Sequence, residues 1–163
     1  MRRTILLVLV IATVAAHLEA IEPHPYVSAI LVEATTGRVL FEENAHESRA
    51  VASMTKMMTL LLVMERVESG AIWLDTPVPI SKHTEDEGGS QVFLAEGSSF
   101  TVRQLVAAAL IHSANDAAMA LAEHVGGNEQ AFVAMMNQRA AAIGMTESRF
   151  TSPNGLPSKL RPD

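Results

Sequence analysis

The sequence predicts an α+β protein, because a two-strand pattern near the N-terminus is followed by a run of helical segments. The strand pattern spans residues 26–43. Four apolar segments with helical spacing and recognisable ends follow, at about residues 54–67, 101–111, 116–124 and 129–143. With 48% hydrophobic residues in a chain of 163, there is enough apolar material for one core. Strands and helices segregated along the chain are typical of this class.

The first 20 residues have the layout of a secretory signal peptide. Arg2 and Arg3 precede an apolar stretch at residues 5–16, and small residues follow at Ala16 and Ala20. The stretch is shorter than the roughly 20 residues that span a bilayer, which favours a cleaved signal over the alternative, an uncleaved anchor. We therefore expect residues 1–20 to be removed after Ala16 or Ala20 and the remainder to be exported.

Composition excludes several functional classes. The formal net charge of −6 makes nucleic acid an unsuitable partner. The chain has no cysteine, so it has neither disulfides nor a thiol nucleophile. Its six histidines show no ligand spacing such as His-Glu-x-x-His, so we predict no metal site and no cofactor.

The strand pattern predicts a β-hairpin that turns at Thr36-Gly37. The apolar run at residues 29–32 indicates a strand buried on both faces, and residues 39–41 are expected to pair back on it.

The first helical segment, residues 54–67, carries large apolar side chains around nearly its whole circumference. This pattern predicts burial on most sides and a central place in the domain. Gly70 is expected to follow its C-terminus. Residues 74–97 are rich in proline and glycine and are predicted to be a long surface excursion.

The later helices have clear end signals. Thr101 and Gln104 match a capping box at the start of the second helix. The third helix is expected to stop at Gly126-Gly127 and the fourth at Gly144. Residues 150–157 are predicted to form a turn.

Ser53 and Lys56, at the start of the first helix, have the spacing of a nucleophile and its base. Three residues of helix rise about 4.5 Å and return to nearly the same face, so the amine can lie beside the hydroxyl. A serine needs such a neighbour to react, and an amine can serve as its base. Free N–H groups at the helix start also stabilise negative charge. By chance alone, the expected number of Ser-x-x-Lys matches in a chain of this length is about 0.5, so the spacing is weak evidence when taken alone. The alternative is an N-cap serine with an exposed lysine.

A second polar group lies in the break between the second and third helices, at residues 112–116. This break would present Ser113 and Asn115 where two helices meet, a place suited to chemistry. The alternative is that either residue caps the helix that follows. Asp116 is expected to cap that helix or to lie in its first turn.

The order of these motifs resembles the penicillin-recognising serine enzymes, most closely the D-alanyl-D-alanine carboxypeptidases. Ser53-Met54-Thr55-Lys56 is followed 60 residues later by Ser113-Ala114-Asn115. Residues 34–40, 48–52, 89–94 and 150–156 are also similar to that family, so the resemblance covers residues 25–157. It implies a β-lactamase/DD-peptidase-like fold in which a helical cluster packs on an antiparallel sheet.

The resemblance also implies roles for the site residues. Ser53 would attack the terminal D-Ala-D-Ala bond of a peptidoglycan stem peptide, and Lys56 would accept its proton. Ser113 would pass a proton to the departing D-alanine, while Asn115 would bind the substrate backbone and hold Lys56 in place. β-Lactams would be inhibitors, and the site of action would be the periplasm or the extracytoplasmic face of the bacterial inner membrane. Lys56 must be neutral to act, which requires burial and a nearby cation to lower its pKa.

One family motif is absent. No Lys-Thr-Gly or Lys-Ser-Gly occurs, and Lys159 is followed by Leu160-Arg161. We therefore expect residues 21–163 to be the N-terminal part of a catalytic domain that is incomplete at its C-terminus, with membrane association through a further C-terminal region. The hairpin would then keep an unpaired apolar edge, so this polypeptide by itself is expected to be poorly stable and at best weakly active.

Two alternatives stay open at this stage. A class A β-lactamase also uses Ser-x-x-Lys, but it carries Ser-Asp-Asn where this chain has Ala114, together with a glutamate for which Glu123 and Glu129 are the candidates. A cell-wall-binding module that keeps the fold without turnover is the other. The sequence does not distinguish trimming from cross-linking or from cleavage of cross-links, and it does not indicate an oligomeric state.

Overall fold

The computed structural model describes residues 26–157, so the predicted signal peptide lies outside the described residues. The chain divides into two compact units, of which residues 26–47 and 48–157 are described. Both strands and helices are present, and the predicted α+β class is confirmed. None of the helices within residues 26–157 has the length and apolarity needed to cross a membrane.

The first unit is the predicted β-hairpin. Strands β1 (Ala29–Val32) and β2 (Val39–Glu43) pair antiparallel, with Leu31 opposite Phe41. The turn requires Gly37, whose φ is +71° and whose N–H donates to the Glu33 carbonyl at 2.9 Å.

The expected burial of β1 on both faces is wrong. Ile30 and Leu31 are 56% and 55% exposed. The reason is that a two-stranded ribbon has no layer of its own to cover either face. An apolar strand sequence therefore does not by itself show that another layer of the protein covers the strand.

The second unit is helical with one short pair of strands. Its described elements are, in order, a 3₁₀ helix Ala52–Thr55, α1 Lys56–Glu68, β3 Pro77–Pro79, α2 Lys82–Glu85, β4 Ser99–Thr101, α3 Val102–Ile111, α4 Asn115–Gly126 and α5 Glu129–Ala142. The predicted helices are confirmed, and their ends differ from prediction by two residues or fewer.

Helix α4 is the centre of this unit, packed by α1, α3 and α5. Every residue from Asn115 to Ala122 is buried, and four of the eight are alanines that let neighbouring helices approach closely. The prediction that the first helix is central is therefore wrong.

Helix α1 is buried on one side only, which also contradicts the expectation. Met58, Leu62 and Val63 are buried, whereas Met57 is 71% exposed and Met54, in the preceding 3₁₀ helix, is 66% exposed. Positions 58 and 62 lie on the same face because they are one turn apart, and that face packs with Ala122 and α5. The helix is apolar all round, but it is packed on only part of its circumference.

Residues 74–97 are not simply a surface excursion, as was predicted. Strand β3 pairs antiparallel with β4, and Val78 lies opposite Phe100. Val78, Ile80 and Leu94 join the core beside α3 and α4. Proline and glycine mark the turns correctly but conceal the buried residues between them.

The predicted capping box at the start of α3 is confirmed. The Gln104 N–H donates to Thr101 Oγ1 at 3.3 Å, and the Thr101 N–H donates to Gln104 Oε1 at 2.8 Å. Each bond satisfies a backbone N–H at the helix start, which fixes where α3 begins. The position of α3 in turn determines where Ser113, just after its end, is placed.

Candidate active site

The structure brings Ser53 and Lys56 together where the 3₁₀ helix passes into α1. Lys56 Nζ lies 3.0 Å from Ser53 Oγ. Ser53 is exposed, whereas Lys56 is only 3% exposed. The N-caps of the two helical segments are Val51 and Thr55, neither with a side-chain cap bond, so Ser53 is not an N-cap serine. A reachable hydroxyl beside a buried amine is the arrangement that an activated serine needs.

Ser113 lies on the other side of the same amine. Its Oγ is 3.4 Å from Lys56 Nζ, although the two residues are 57 positions apart. Ser113 has φ +55°, and Ala52, directly before Ser53, has φ +47°. Such conformations cost a non-glycine residue about 1–3 kcal/mol and are concentrated at functional sites. The N-cap of α4 is Ala114, so neither Ser113 nor Asn115 serves as the cap.

Burial lowers the pKa of the Lys56 amine from its ordinary value. The physical cause is that an ammonium loses hydration in the interior, which favours the neutral amine. The hydrogen bonds to Ser53 and Ser113 keep the amine placed while its charge is disfavoured. A neutral amine with a fixed position can accept a proton.

The third partner of Lys56 is the carbonyl of Asn154, at 3.1 Å. This residue was not predicted, because any residue has a carbonyl and no side-chain pattern indicates which one will be used. Within residues 26–157, the expected contact between Asn115 and Lys56 is absent. The Asn115 side chain instead donates to the Gly88 carbonyl at 2.7 Å.

Asn115 and Asp116 attach residues 88–94 to the start of α4. The Asn115 N–H donates to the Ser90 carbonyl at 2.7 Å. Asp116, fully buried, lies in the first turn and its carboxylate accepts the N–H groups of Val92 and Leu94, each at 3.1 Å. These bonds fix a wall of the site two residues from Ser113. The sequence indicated the similarity of residues 89–94 to the family but not this role for Asp116.

The turn at residues 152–156 contacts the elements that carry Ser53 and Lys56. Thr59 Oγ1, on α1, donates to the Pro153 carbonyl at 2.6 Å. Gly155 has φ +89°, and a Cβ on it would lie 1.9 Å from the Ala52 carbonyl oxygen. Only glycine permits this approach to the backbone beside Ser53.

Glu123 and Glu129, the glutamates considered for a β-lactamase, are engaged with residues 81–84. Glu123 accepts from Ser81 Oγ at 2.6 Å and pairs with His83 at 3.0 Å. Glu129 lies 3.6 Å from the other ring nitrogen of His83. Both carboxylates therefore hold α2 against the core.

A buried lysine within reach of two serine hydroxyls suits a serine nucleophile with a lysine as its base, and comparison with known proteins agrees with that interpretation. The family described as D-alanyl-D-alanine carboxypeptidase matches residues 15–160. The chain therefore belongs to the D-alanyl-D-alanine carboxypeptidase family.

Individual relatives support the same assignment. D-alanyl-D-alanine carboxypeptidase DacF of Bacillus subtilis is 43% identical over 133 residues, covering 82% of this chain and 34% of the relative. The crystal structure of carboxypeptidase DacD from Francisella tularensis superposes with a TM-score of 0.81 at 39% identity, covering 83% of this chain and 33% of that one. Penicillin-binding protein D2 of Listeria monocytogenes, solved in an ampicillin-bound form, has a TM-score of 0.73 at 28% identity, covering 86% and 57%.

These findings confirm the predicted family and fold. They support the carboxypeptidase interpretation over both alternatives, the class A β-lactamase and the non-catalytic module. The chain spans about a third of the length of DacF.

Proposed function

We propose that this protein is a serine-type D-Ala-D-Ala carboxypeptidase that removes the terminal D-alanine from peptidoglycan stem peptides through an acyl-serine intermediate. The observation that carries the proposal is the buried Lys56 amine, placed 3.0 Å from Ser53 Oγ and 3.4 Å from Ser113 Oγ. Family membership supports the reaction class.

The acylation step begins at Ser53. As its Oγ bonds to the carbonyl carbon of the penultimate D-alanine, its proton moves to the neutral Lys56 amine. The carbonyl oxygen becomes an oxyanion, for which the backbone N–H of Ser53 is a proposed donor. Lys56 is then an ammonium with three N–H groups.

Ser113 completes the proton transfer. The Lys56 ammonium gives a proton to Ser113 Oγ, whose own proton passes to the nitrogen of the departing D-alanine as the C–N bond breaks. Lys56 is neutral again and the acyl group stays on Ser53. A water molecule then attacks the ester, with its proton returning through the same amine, and releases the shortened peptide.

Asn115 is proposed to bind the substrate backbone. One N–H of its side-chain amide is committed to Gly88, which fixes the orientation of the amide. We assign its remaining hydrogen-bonding capacity to the substrate. β-Lactams are proposed inhibitors that acylate the same serine, in keeping with the ampicillin-bound relative.

Two further features of the proposal concern the rest of the protein. In the family, a Lys-Thr-Gly or Lys-Ser-Gly triplet supplies a second cation and the substrate-carboxylate site, and the 163 residues hold neither triplet. Residues 1–20 are proposed to export the chain, which would place it in the periplasm or at the extracytoplasmic face of the inner membrane. Association with the membrane is also part of the proposal.

Labelling with a fluorescent penicillin tests the function, with Ser53→Ala as the control. We expect a covalent adduct that maps to Ser53, and release of D-alanine from a D-Ala-D-Ala peptide. The same assay on a chimera that continues from residue 157 into the remaining C-terminal part of DacF tests the chemistry in a chain as long as that relative. Rapid turnover of a chromogenic cephalosporin would instead indicate a β-lactamase. If the chimera formed no serine-dependent adduct, the catalytic proposal would fail.

A further inference from the structure

Glu87 is a buried carboxylate next to the site that the mechanism above does not use. The residue is 7% exposed. Its Oε2 accepts from Asn154 Nδ2 at 3.1 Å, across 67 positions of sequence. Its backbone carbonyl accepts from Gln91 Nε2, which ties it to the wall attached to α4. A buried acid is costly unless it is hydrogen-bonded, so the contact with Asn154 is what allows Glu87 to be buried here.

Asn154 carries this contact directly to the lysine. Its side-chain amide donates to Glu87, its carbonyl accepts from Lys56 Nζ at 3.1 Å, and its Oδ1 accepts the Leu156 N–H at 3.0 Å. The residue is 2% exposed. One rigid residue therefore links the acid and the amine.

The Asn154 carbonyl has a specific effect on the amine. Neutral Lys56 has two N–H groups and one lone pair. If the N–H groups donate to Ser113 Oγ and to the Asn154 carbonyl, the lone pair faces the Ser53 hydroxyl. Loss of the carbonyl would let the amine rotate and point an N–H at Ser53 instead.

We infer that Glu87 is a positioning residue for the Ser53–Lys56 pair: by holding Asn154, it fixes the carbonyl that aims the lone pair of Lys56 at Ser53. The Glu87 carboxyl oxygen accepts the Asn154 side-chain N–H, which suits it to this task. The inference rests on the proposed function, since it assigns Glu87 to the proposed base.

Acylation kinetics with fluorescent penicillin test the inference. In Glu87→Ala, the rate constant of acylation should fall by about 10²-fold, the effect of misplacing a catalytic group by about 1 Å. The dissociation constant of the initial complex should not change, because Glu87 acts on the base. Glu87→Gln should restore most of the rate, since its amide oxygen can accept from Asn154. Glu96→Ala is the matched control, because it makes the same substitution as Glu87→Ala at an exposed carboxylate on the same segment.

A second measurement does not depend on catalysis. Backbone hydrogen exchange of a peptide covering residues 150–156 should be faster in Glu87→Ala than in wild type, and unchanged in Glu96→Ala. Adding Glu87→Ala to Asn154→Ala should have no further effect on exchange or rate, because Glu87 is inferred to act on the turn through the Asn154 side chain. If neither the wild-type protein nor the chimera is acylated, the proposed function fails while exchange still tests the anchor. The inference is overturned if Glu87→Ala exchanges at the wild-type rate. It is also overturned if the wild type is acylated and Glu87→Ala exchanges faster but is acylated at the wild-type rate.

Discussion

Replacing Gly155 with alanine would drive the 152–156 turn away from the backbone beside Ser53. The new Cβ would lie 1.9 Å from the Ala52 carbonyl oxygen and 3.0 Å from Thr55 Oγ1, so the turn must move by about 1 Å. The φ of +89° adds about 1–2 kcal/mol for a residue with a Cβ, and overpacking adds about 1–3 kcal/mol. We expect a loss of about 2–5 kcal/mol in the free energy of unfolding, against a typical total of about 5–15 kcal/mol.

The same displacement should separate the Asn154 carbonyl from Lys56 and slow acylation by about 10²-fold. Urea denaturation followed by circular dichroism measures the first effect, and fluorescent-penicillin labelling measures the second. Gly144→Ala is a matched control, because Gly144 has φ +84° with nothing within 4 Å of the added Cβ. Gly144→Ala should show the loss in free energy of unfolding that a Cβ causes at positive φ, without the loss that the collision causes. Equal stability and equal labelling of the two variants would refute the close-approach argument.

Three further predictions concern single contacts. Thr101→Ala breaks the capping box and should lower the free energy of unfolding by about 1 kcal/mol, whereas Thr101→Ser should keep it; urea denaturation of both decides. Burial lowers the pKa of Lys56 in the folded state. At a pH between this lowered pKa and the ordinary 10.5, the unfolded chain therefore binds more protons than the folded chain. The unfolding free energy of wild type relative to Lys56→Met should therefore rise with pH across this window, and a pH-independent difference would contradict the account. Ser113→Ala should slow penicillin acylation by roughly 10²–10⁴-fold in stopped-flow labelling, and a wild-type rate would remove Ser113 from the mechanism.

The local part of the fold follows from sequence because its signals are local. Thr101 and Gln104 lie three positions apart and determine a helix start through bonds to their own backbone. Gly127, in the left-handed conformation, ends α4 for an equally local reason. The proximity of Ser53 and Lys56 is likewise one turn of helical geometry.

The remaining features depend on distant parts of the chain. The Asn154 carbonyl reaches Lys56 across 98 positions, and Glu87 reaches Asn154 across 67. Neither contact has a residue-type signature. In the first the acceptor is a backbone carbonyl, and in the second the acid is one of three in a row at residues 85–87. Whether an apolar face is buried also depends on residues that are distant in the sequence. This is why Met54 and Met57 were expected to be buried and are exposed.

The central claim is that a neutral Lys56 activates Ser53. The most direct measurement is the rate of β-lactam acylation as a function of pH, with the adduct mapped by mass spectrometry, in wild type and in Lys56→Arg. An arginine side chain stays positively charged at these pH values and therefore does not act as a base. The account predicts an adduct on Ser53 whose rate of formation rises with pH as Lys56 loses its proton, and a loss of at least about 10²-fold in Lys56→Arg. An adduct on another residue, or a wild-type rate and pH profile in Lys56→Arg, would contradict it.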